Sequence, residues 1–252
     1  MPHIPTLPTT SRIPDYNTLI FDLGDVIFTY ALDSSTQRPS SISPKVLRAT
    51  LSSKLWGDYE KGLVDEENCY IQASSAVQVN PDDLRMALEE ARSSLVFTPE
   101  MISLLRELQS RGIKLYAMSN ISHPDFQYLS SKFDLTIFER VYTSCEAHER
   151  KPELSFYRRV LEDIGEDPKR IIFVDDKVEN VLSASSFGIH GIVFDNPKTL
   201  RRDLLNLLED PVSRAKEYLK LHQGQLDTVT ETGVSFKDNF SQLLIYEWTG
   251  DW

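Results

Sequence analysis

The 252-residue chain holds only two cysteines, Cys69 and Cys145. They stand far apart in sequence, which argues against a disulfide-stapled scaffold or a cysteine-built metal pair; both are expected reduced and buried in an intracellular protein. Positive charge is in deficit: 27 Lys and Arg face 38 Asp and Glu, giving a formal charge of −11 and a pI near 5.0. Nucleic acid and anionic membranes select for Lys/Arg patches, so both are disfavoured as partners. A cation-dependent enzyme can still bind a polyanion, because the cation supplies positive charge locally. Long apolar runs are missing too, and none approaches the ~18 residues of a membrane span. Residues 1–15 are rich in Pro, Ser and Thr without an apolar stretch, and read as a flexible tail rather than a signal peptide. The expectation is a soluble, cytoplasmic protein. Its five histidines are scattered without metal-ligand spacing, and His123 and His148 are expected in solvated loops.

What is present is an alternation of strand and helix signals from Asn17 onward, which predicts a doubly wound parallel sheet flanked by helices, an α/β fold. Strands are expected near 18–22, 114–118, 171–174 and 191–194. The alternation breaks between the first strand and the helix opening at Thr98-Pro99. After a polar loop from Asp33 to Ser43 come helical patterns at Pro44–Leu55, Trp56–Lys61, Glu66–Val77 and Pro81–Ser94. Leu47, Leu51 and Leu55 set the spacing of the first. Ser43-Pro44, Asn80-Pro81 and Thr98-Pro99 each look like an N-cap followed by proline at the first helical position. Further helices are expected at Pro152–Ile164 and Pro197–Leu208, then at Val212–His222 and Asp238–Trp248. The predicted organisation is a tail at 1–15, a core at 16–30 and 97–210, a helical insertion at 31–96 and a C-terminal extension at 211–252.

Four motifs sit in order on this frame. Leu-Ile-Phe-Asp-Leu-Gly-Asp-Val (Leu19–Val26) runs an apolar strand into Asp22. A second strand ends in Ser119-Asn120. Lys151-Pro152 opens a helical segment, and Ile171–Val174 ends in Asp175-Asp176. This set resembles the haloacid dehalogenase superfamily over roughly Leu19 to Phe194. The resemblance implies that Asp22 attacks phosphorus and that Ser119 hydrogen-bonds a phosphate oxygen. It also implies that Lys151 neutralises phosphate charge and keeps the nucleophile ionised, and that Asp175 and Asp176 ligate Mg²⁺. The insertion after the first motif resembles the family's helical cap. One family residue is missing: where a second aspartate serves as general acid and base, this chain has Gly24. Asp25 is displaced by one position, which on an extended chain turns it to the other side.

Two chemistries compete for such a site. Attack on phosphorus by Asp22 gives an aspartyl-phosphate that needs an activated water, and a positioned acid/base is worth ~10²–10⁴-fold. Superfamily members with a Phe-Asp-Leu-Gly-Asn start are nonetheless regarded as sugar-phosphate phosphatases. Alternatively, the site holds a diphosphate through Mg²⁺ and promotes heterolysis of the carbon–oxygen bond, which needs no proton donor. Asp175-Asp176-Lys177-Val178-Glu179 has the acid spacing of class I terpene cyclases, and a helix from 176 would set Asp176 and Glu179 on one face. The same string, extended to Asn180, is also an ordinary fourth motif whose Glu-Asn caps a helix.

The extension Leu226–Glu247, joined to these motifs, resembles the fungal haloacid dehalogenase-like terpene synthases. That resemblance implies a Mg²⁺-dependent sesquiterpene cyclase acting on farnesyl diphosphate, with a prenyl diphosphate as its partner. Asp22, Asp175, Asp176 and Glu179 would then carry metal, and Ser119, Asn120 and Lys151 would hold diphosphate oxygens. Phe28, Tyr30, Trp56, Tyr59, Tyr70, Tyr246 and Trp248 are candidates to line a carbocation pocket, although core packing is the default role of each. Asn239 and Glu247 have the outer spacing of a second metal motif but lack its middle hydroxyl, so packing of Phe240, Leu243, Leu244 and Trp248 is the preferred role there. A non-catalytic phospho-ligand-binding protein is the third class. Convergence of Asp22, Ser119, Lys151, Asp175 and Asp176 argues against it.

Overall fold

The computed structural model describes residues 16–30 and 42–208. The tail at 1–15, residues 31–41 of the insertion and all helices expected beyond residue 208 lie outside the described residues, as do Tyr246, Trp248, Asn239 and Glu247.

The centre is a five-stranded parallel sheet in the order β5-β4-β1-β6-β7. It is built from β1 (Thr18–Phe21), β4 (Lys114–Ser119), β5 (Arg140–Thr143), β6 (Ile171–Asp175) and β7 (His190–Val193). β1 and β6 are buried at every position. That is why they read as continuous apolar runs rather than as alternating patterns: helices cover a parallel sheet on both faces. Helices α5 (Pro99–Ser110), α6 (His123–Lys132), α7 (Ser144–Ala147), α8 (Leu154–Ile164), α9 (Val178–Ser185) and α10 (Pro197–Leu208) flank it. Ile20, Met118, Phe156, Tyr157, Val160, Phe173 and Ala184 form one contiguous core.

Register places the chemistry. Phe21 pairs with Ala117 on one side and Val174 on the other. Asp22 therefore emerges level with Asp175, and its backbone N–H continues the ladder to the Val174 carbonyl at 2.8 Å. Ser119, two residues past Ala117, ends the neighbouring strand. Three motifs thus meet along one edge of the sheet, the carboxyl edge where open α/β sheets bind ligands.

Between β2 (Phe28–Tyr30) and β3 (Leu95–Phe97), which pair antiparallel, lie α1 (Pro44–Leu51), α2 (Lys54–Glu60), α3 (Glu66–Val77) and α4 (Pro81–Ser93). These four helices have a core of their own around Trp56, Tyr59, Cys69, Tyr70, Leu84 and Leu88. The two helices expected at Pro44–Leu55 and Trp56–Lys61 are α1 and α2, with the break between them earlier, at Ser52-Ser53. Ser53 stops the first pattern and caps α2, accepting from the Trp56 N–H at 3.1 Å, and Leu51 is left exposed. Ser43 and Asn80 cap α1 and α4 through their side chains, whereas Thr98 makes no side-chain capping bond. Both cysteines are free and buried. Among the described residues, no helix is long and apolar enough to cross a membrane.

Candidate active site

The site is organised around a buried lysine. Lys151, 1% exposed, places Nζ 2.8 Å from Asp22 Oδ1 and 2.7 Å from Asp175 Oδ2. Asp22 Oδ1 also accepts from the Leu23 N–H at 2.7 Å. Asp175 is fully buried, and its Oδ1 accepts from the Lys177 N–H at 2.8 Å and from Asn180 Nδ2 at 2.9 Å. Asn180 is anchored in turn, since its carbonyl accepts from the Tyr157 hydroxyl at 2.9 Å. Asp176 points to a less buried side and pairs with Lys177 Nζ.

Electrostatics follow from this packing. Burial pushes the Asp22 carboxyl up to about 7; Asp175 adds to the rise, and Lys151 opposes both. Burial also works against charge on Lys151, but Asp22 and Asp175 outweigh it and raise its pKa. The lysine is therefore held as the ammonium ion between two acids. Three acids, two of them sharing Lys151 and the third paired with Lys177, leave a deficit of positive charge that a bound cation would correct.

The donor set fits a hard divalent cation. One carboxylate oxygen from each of Asp22, Asp175 and Asp176 lies within 4.8 Å of the others. Opposite ligands of Mg²⁺ are ~4.2 Å apart, twice its ~2.1 Å bond, so a small closure would bring all three into one shell. The set is all oxygen, which suits Mg²⁺ rather than a softer metal.

Glu179 is not part of this trio. The helix starts at Val178 with Lys177 as its cap, so Asp176 precedes it, and Glu179 is exposed on α9. The Asn of the fourth motif braces Asp175 and does not cap α9.

Asn120 also has a different task from the one expected. Its Nδ2 donates to the Lys151 carbonyl at 2.9 Å, and its Oδ1 accepts from the Lys151 N–H at 2.8 Å, so it clamps the backbone carrying the lysine. Ser119, 4% exposed, ends β4 beside the site.

Three of the aromatic candidates pack into cores of the described residues. Phe28 is 1% exposed, with ring centroids 4.7 Å from Phe97 and 4.8 Å from Phe133. Trp56 and Tyr59 pack on each other at 5.0 Å inside the inserted helices, and the Tyr59 hydroxyl donates to Glu66 at 3.1 Å. Tyr30 is described in its backbone only.

The turn after Asp22 corrects a further expectation. Ile27 and Phe28 N–H groups both donate to the Leu23 carbonyl, at 3.0 and 2.9 Å, and Asp25 adopts φ 57. The chain is not extended here. Asp25 stays on the side of the site, where burial and Asp176 raise its pKa while Lys177 lowers it. Gly24 has open space where a Cβ would stand, with no heavy atom within 4 Å.

Several residues at the junction of insertion and core carried no local sequence signal. Glu60, at the end of α2, pairs with Arg150 at 2.8 Å, next to Lys151 in the chain. Ser144 Oγ donates to the Glu60 carbonyl at 2.6 Å and accepts from the Ile121 N–H at 2.9 Å. Lys61 reaches Glu153 at 3.2 Å, and Arg92 reaches Asp125 at 2.6 Å.

Known proteins match this arrangement. Residues 16–188 match the haloacid dehalogenase-like hydrolase family, and residues 212–252 match the sesquiterpene cyclase AstC-like C-terminal domain. A drimenol cyclase of Aspergillus calidoustus is 37% identical over 92% of this chain and 44% of its own length. The chain thus spans less than half of that cyclase. A sesquiterpene phosphatase of Aspergillus oryzae is 34% identical over 70% of this chain and 89% of its own length. A haloacid dehalogenase family enzyme of Bacteroides thetaiotaomicron, solved as its magnesium complex, superposes with a TM-score of 0.57 at 21% identity, covering 72% of this chain and 94% of that one. Fold, motif order and relatives agree: the chain belongs to the haloacid dehalogenase-like hydrolases, with fungal sesquiterpene cyclase and phosphatase homologues.

Proposed function

We propose that this chain is a Mg²⁺-dependent sesquiterpene synthase of the class I type, whose site takes the diphosphate of farnesyl diphosphate and breaks its carbon–oxygen bond. The observation that carries the reading is Gly24: an otherwise complete phosphate site has no side chain where the family's general acid and base would stand. Breaking an alkyl phosphate or hydrolysing an aspartyl-phosphate without that group forfeits ~10²–10⁴-fold in rate. A diphosphate leaving from an allylic carbon takes the bond's electron pair onto its own oxygen and needs no proton. The homology to a drimenol cyclase and the AstC-like segment support a terpenoid substrate.

Asp22, Asp175 and Asp176 would hold Mg²⁺, which supplies Lewis-acid neutralisation of the departing diphosphate. Lys151 sits between Asp22 and Asp175, opposes the rise that burial imposes on the Asp22 carboxyl, and adds a buried positive charge behind the leaving group. Asn120 and Asn180 keep Lys151 and Asp175 in place, and Ser119 offers a hydroxyl to a phosphoryl oxygen. The allylic cation then closes a ring and loses a proton or takes up water.

One observation favours a second reading, attack of Asp22 on phosphorus: the chain covers 89% of a sesquiterpene phosphatase but only 44% of the cyclase. Incubation with Mg²⁺ and farnesyl diphosphate, followed by gas chromatography–mass spectrometry of an organic overlay, separates the two. Cyclic product with free diphosphate supports the synthase. Farnesol or another acyclic alcohol with inorganic phosphate supports the phosphatase and overturns the proposal.

A further inference from the structure

A diphosphate brings a second phosphoryl group and more negative charge than a monophosphate, so a site that prefers it needs a cation beyond the one serving the first phosphoryl group. Lys151 has no spare capacity, because its ammonium group is buried between Asp22 and Asp175. Arg150, next to it in the chain, is also committed: it pairs with Glu60, and its guanidinium lies 3.0 Å from where a Cβ on Gly57 would stand.

Lys177 is placed differently. Its backbone is fixed, because its N–H donates to Asp175 Oδ1 and it caps α9. Its side chain is 56% exposed, and its ammonium group rests on Asp176, the least buried of the three clustered acids. Asp25, turned toward this side by its left-handed backbone, adds a second negative charge that Lys177 feels. A flexible lysine stem parked on a carboxylate is displaced when a cation takes that carboxylate.

We propose that Lys177 is a specificity-determining residue that selects a diphosphate over a monophosphate: once a divalent cation engages Asp176, the Lys177 ammonium group is released to the second phosphoryl group. The inference rests on the diphosphate reading of the site, but not on which bond is broken.

The test is isothermal titration of the Mg²⁺-loaded protein with methylenediphosphonate, a diphosphate analogue that resists hydrolysis, and separately with inorganic phosphate. The parent should bind the diphosphonate more tightly. Lys177→Gln should weaken the diphosphonate about tenfold, the loss of one charge-assisted contact, while phosphate binding stays within about twofold. Lys177→Arg should retain most of the preference. Equal weakening of both anions in Lys177→Gln, or no weakening of either, overturns the role of Lys177 while the parent's preference stands. A parent that binds the diphosphonate no better than phosphate removes the diphosphate reading, and the proposal with it.

Discussion

Replacing Lys151 by methionine keeps an unbranched stem and removes the charge at the centre of the site. The ammonium group lies 2.8 Å from Asp22 and 2.7 Å from Asp175 at 1% exposure, so the variant leaves two buried carboxylates without a shared counter-charge. Removing one partner of a buried ion pair costs about 3–5 kcal/mol, or roughly 6–20 °C in melting temperature for a chain of this size. That cost depends on pH. Asp22 is raised from 3.8 to about 7 in the folded protein, so the fold holds this proton more tightly than the unfolded chain does. The stability it contributes is complete below 3.8 and is lost as pH climbs through about 7. Without Lys151 the opposing effect is gone, the Asp22 pKa rises further and the window extends upward. Metal-free melting curves followed by circular dichroism should therefore show the largest gap between parent and Lys151→Met above neutral pH. The gap should narrow as the solution is acidified and Asp22 takes up its proton. Added Mg²⁺ should stabilise the variant at alkaline pH by restoring positive charge. A penalty of equal size in acid and in alkali would refute the reasoning and reduce Lys151 to a packing residue.

Gly24→Asp should leave folding intact, within about 0.5 kcal/mol, because nothing lies within 4 Å of the new Cβ. Cyclic product should fall without an orders-of-magnitude gain in Mg²⁺-dependent phosphate release from an aryl phosphate; such a gain would favour the phosphorus-attack reading. Asp176→Asn should abolish turnover while the metal-free melting temperature stays level or rises, since one of several clustered acids is neutralised. Calorimetric titration should show the Mg²⁺ affinity lost with it, and full activity in that variant would remove Asp176 from the site.

The sheet was legible where a strand is buried on both faces and ends at an acid. β1 and β6 are unbroken apolar runs, and the register that brings Asp22 level with Asp175 follows from their pairing side by side. β2, β3 and β5 were missed, being three or four residues long: β2 and β5 mix polar with apolar residues, and the apolar run of β3 is only three residues. The acids of the site were visible because each stands at or just after a strand end, and Lys151 because Pro152 follows it at the opening of a helical segment. The site's supports were not. Glu60 and Arg150, or Ser144 and Ile121, meet only through tertiary folding and leave no periodic trace. For the aromatic candidates Phe28, Trp56 and Tyr59, core packing was the default role, and their rings do fill cores. Asp25 was misplaced because an extended chain was assumed where two hydrogen bonds to Leu23 close a turn.

The most direct test of the central claim is the fate of oxygen in ¹⁸O-labelled water during turnover of farnesyl diphosphate with Mg²⁺. If the carbon–oxygen bond breaks, the released diphosphate carries no label, and any ¹⁸O appears only in an alcohol product formed by capture of the cation. If Asp22 attacks phosphorus, hydrolysis of the aspartyl-phosphate places ¹⁸O in inorganic phosphate and leaves the terpenoid oxygen unlabelled. The account predicts unlabelled diphosphate; labelled phosphate with an unlabelled alcohol would contradict it.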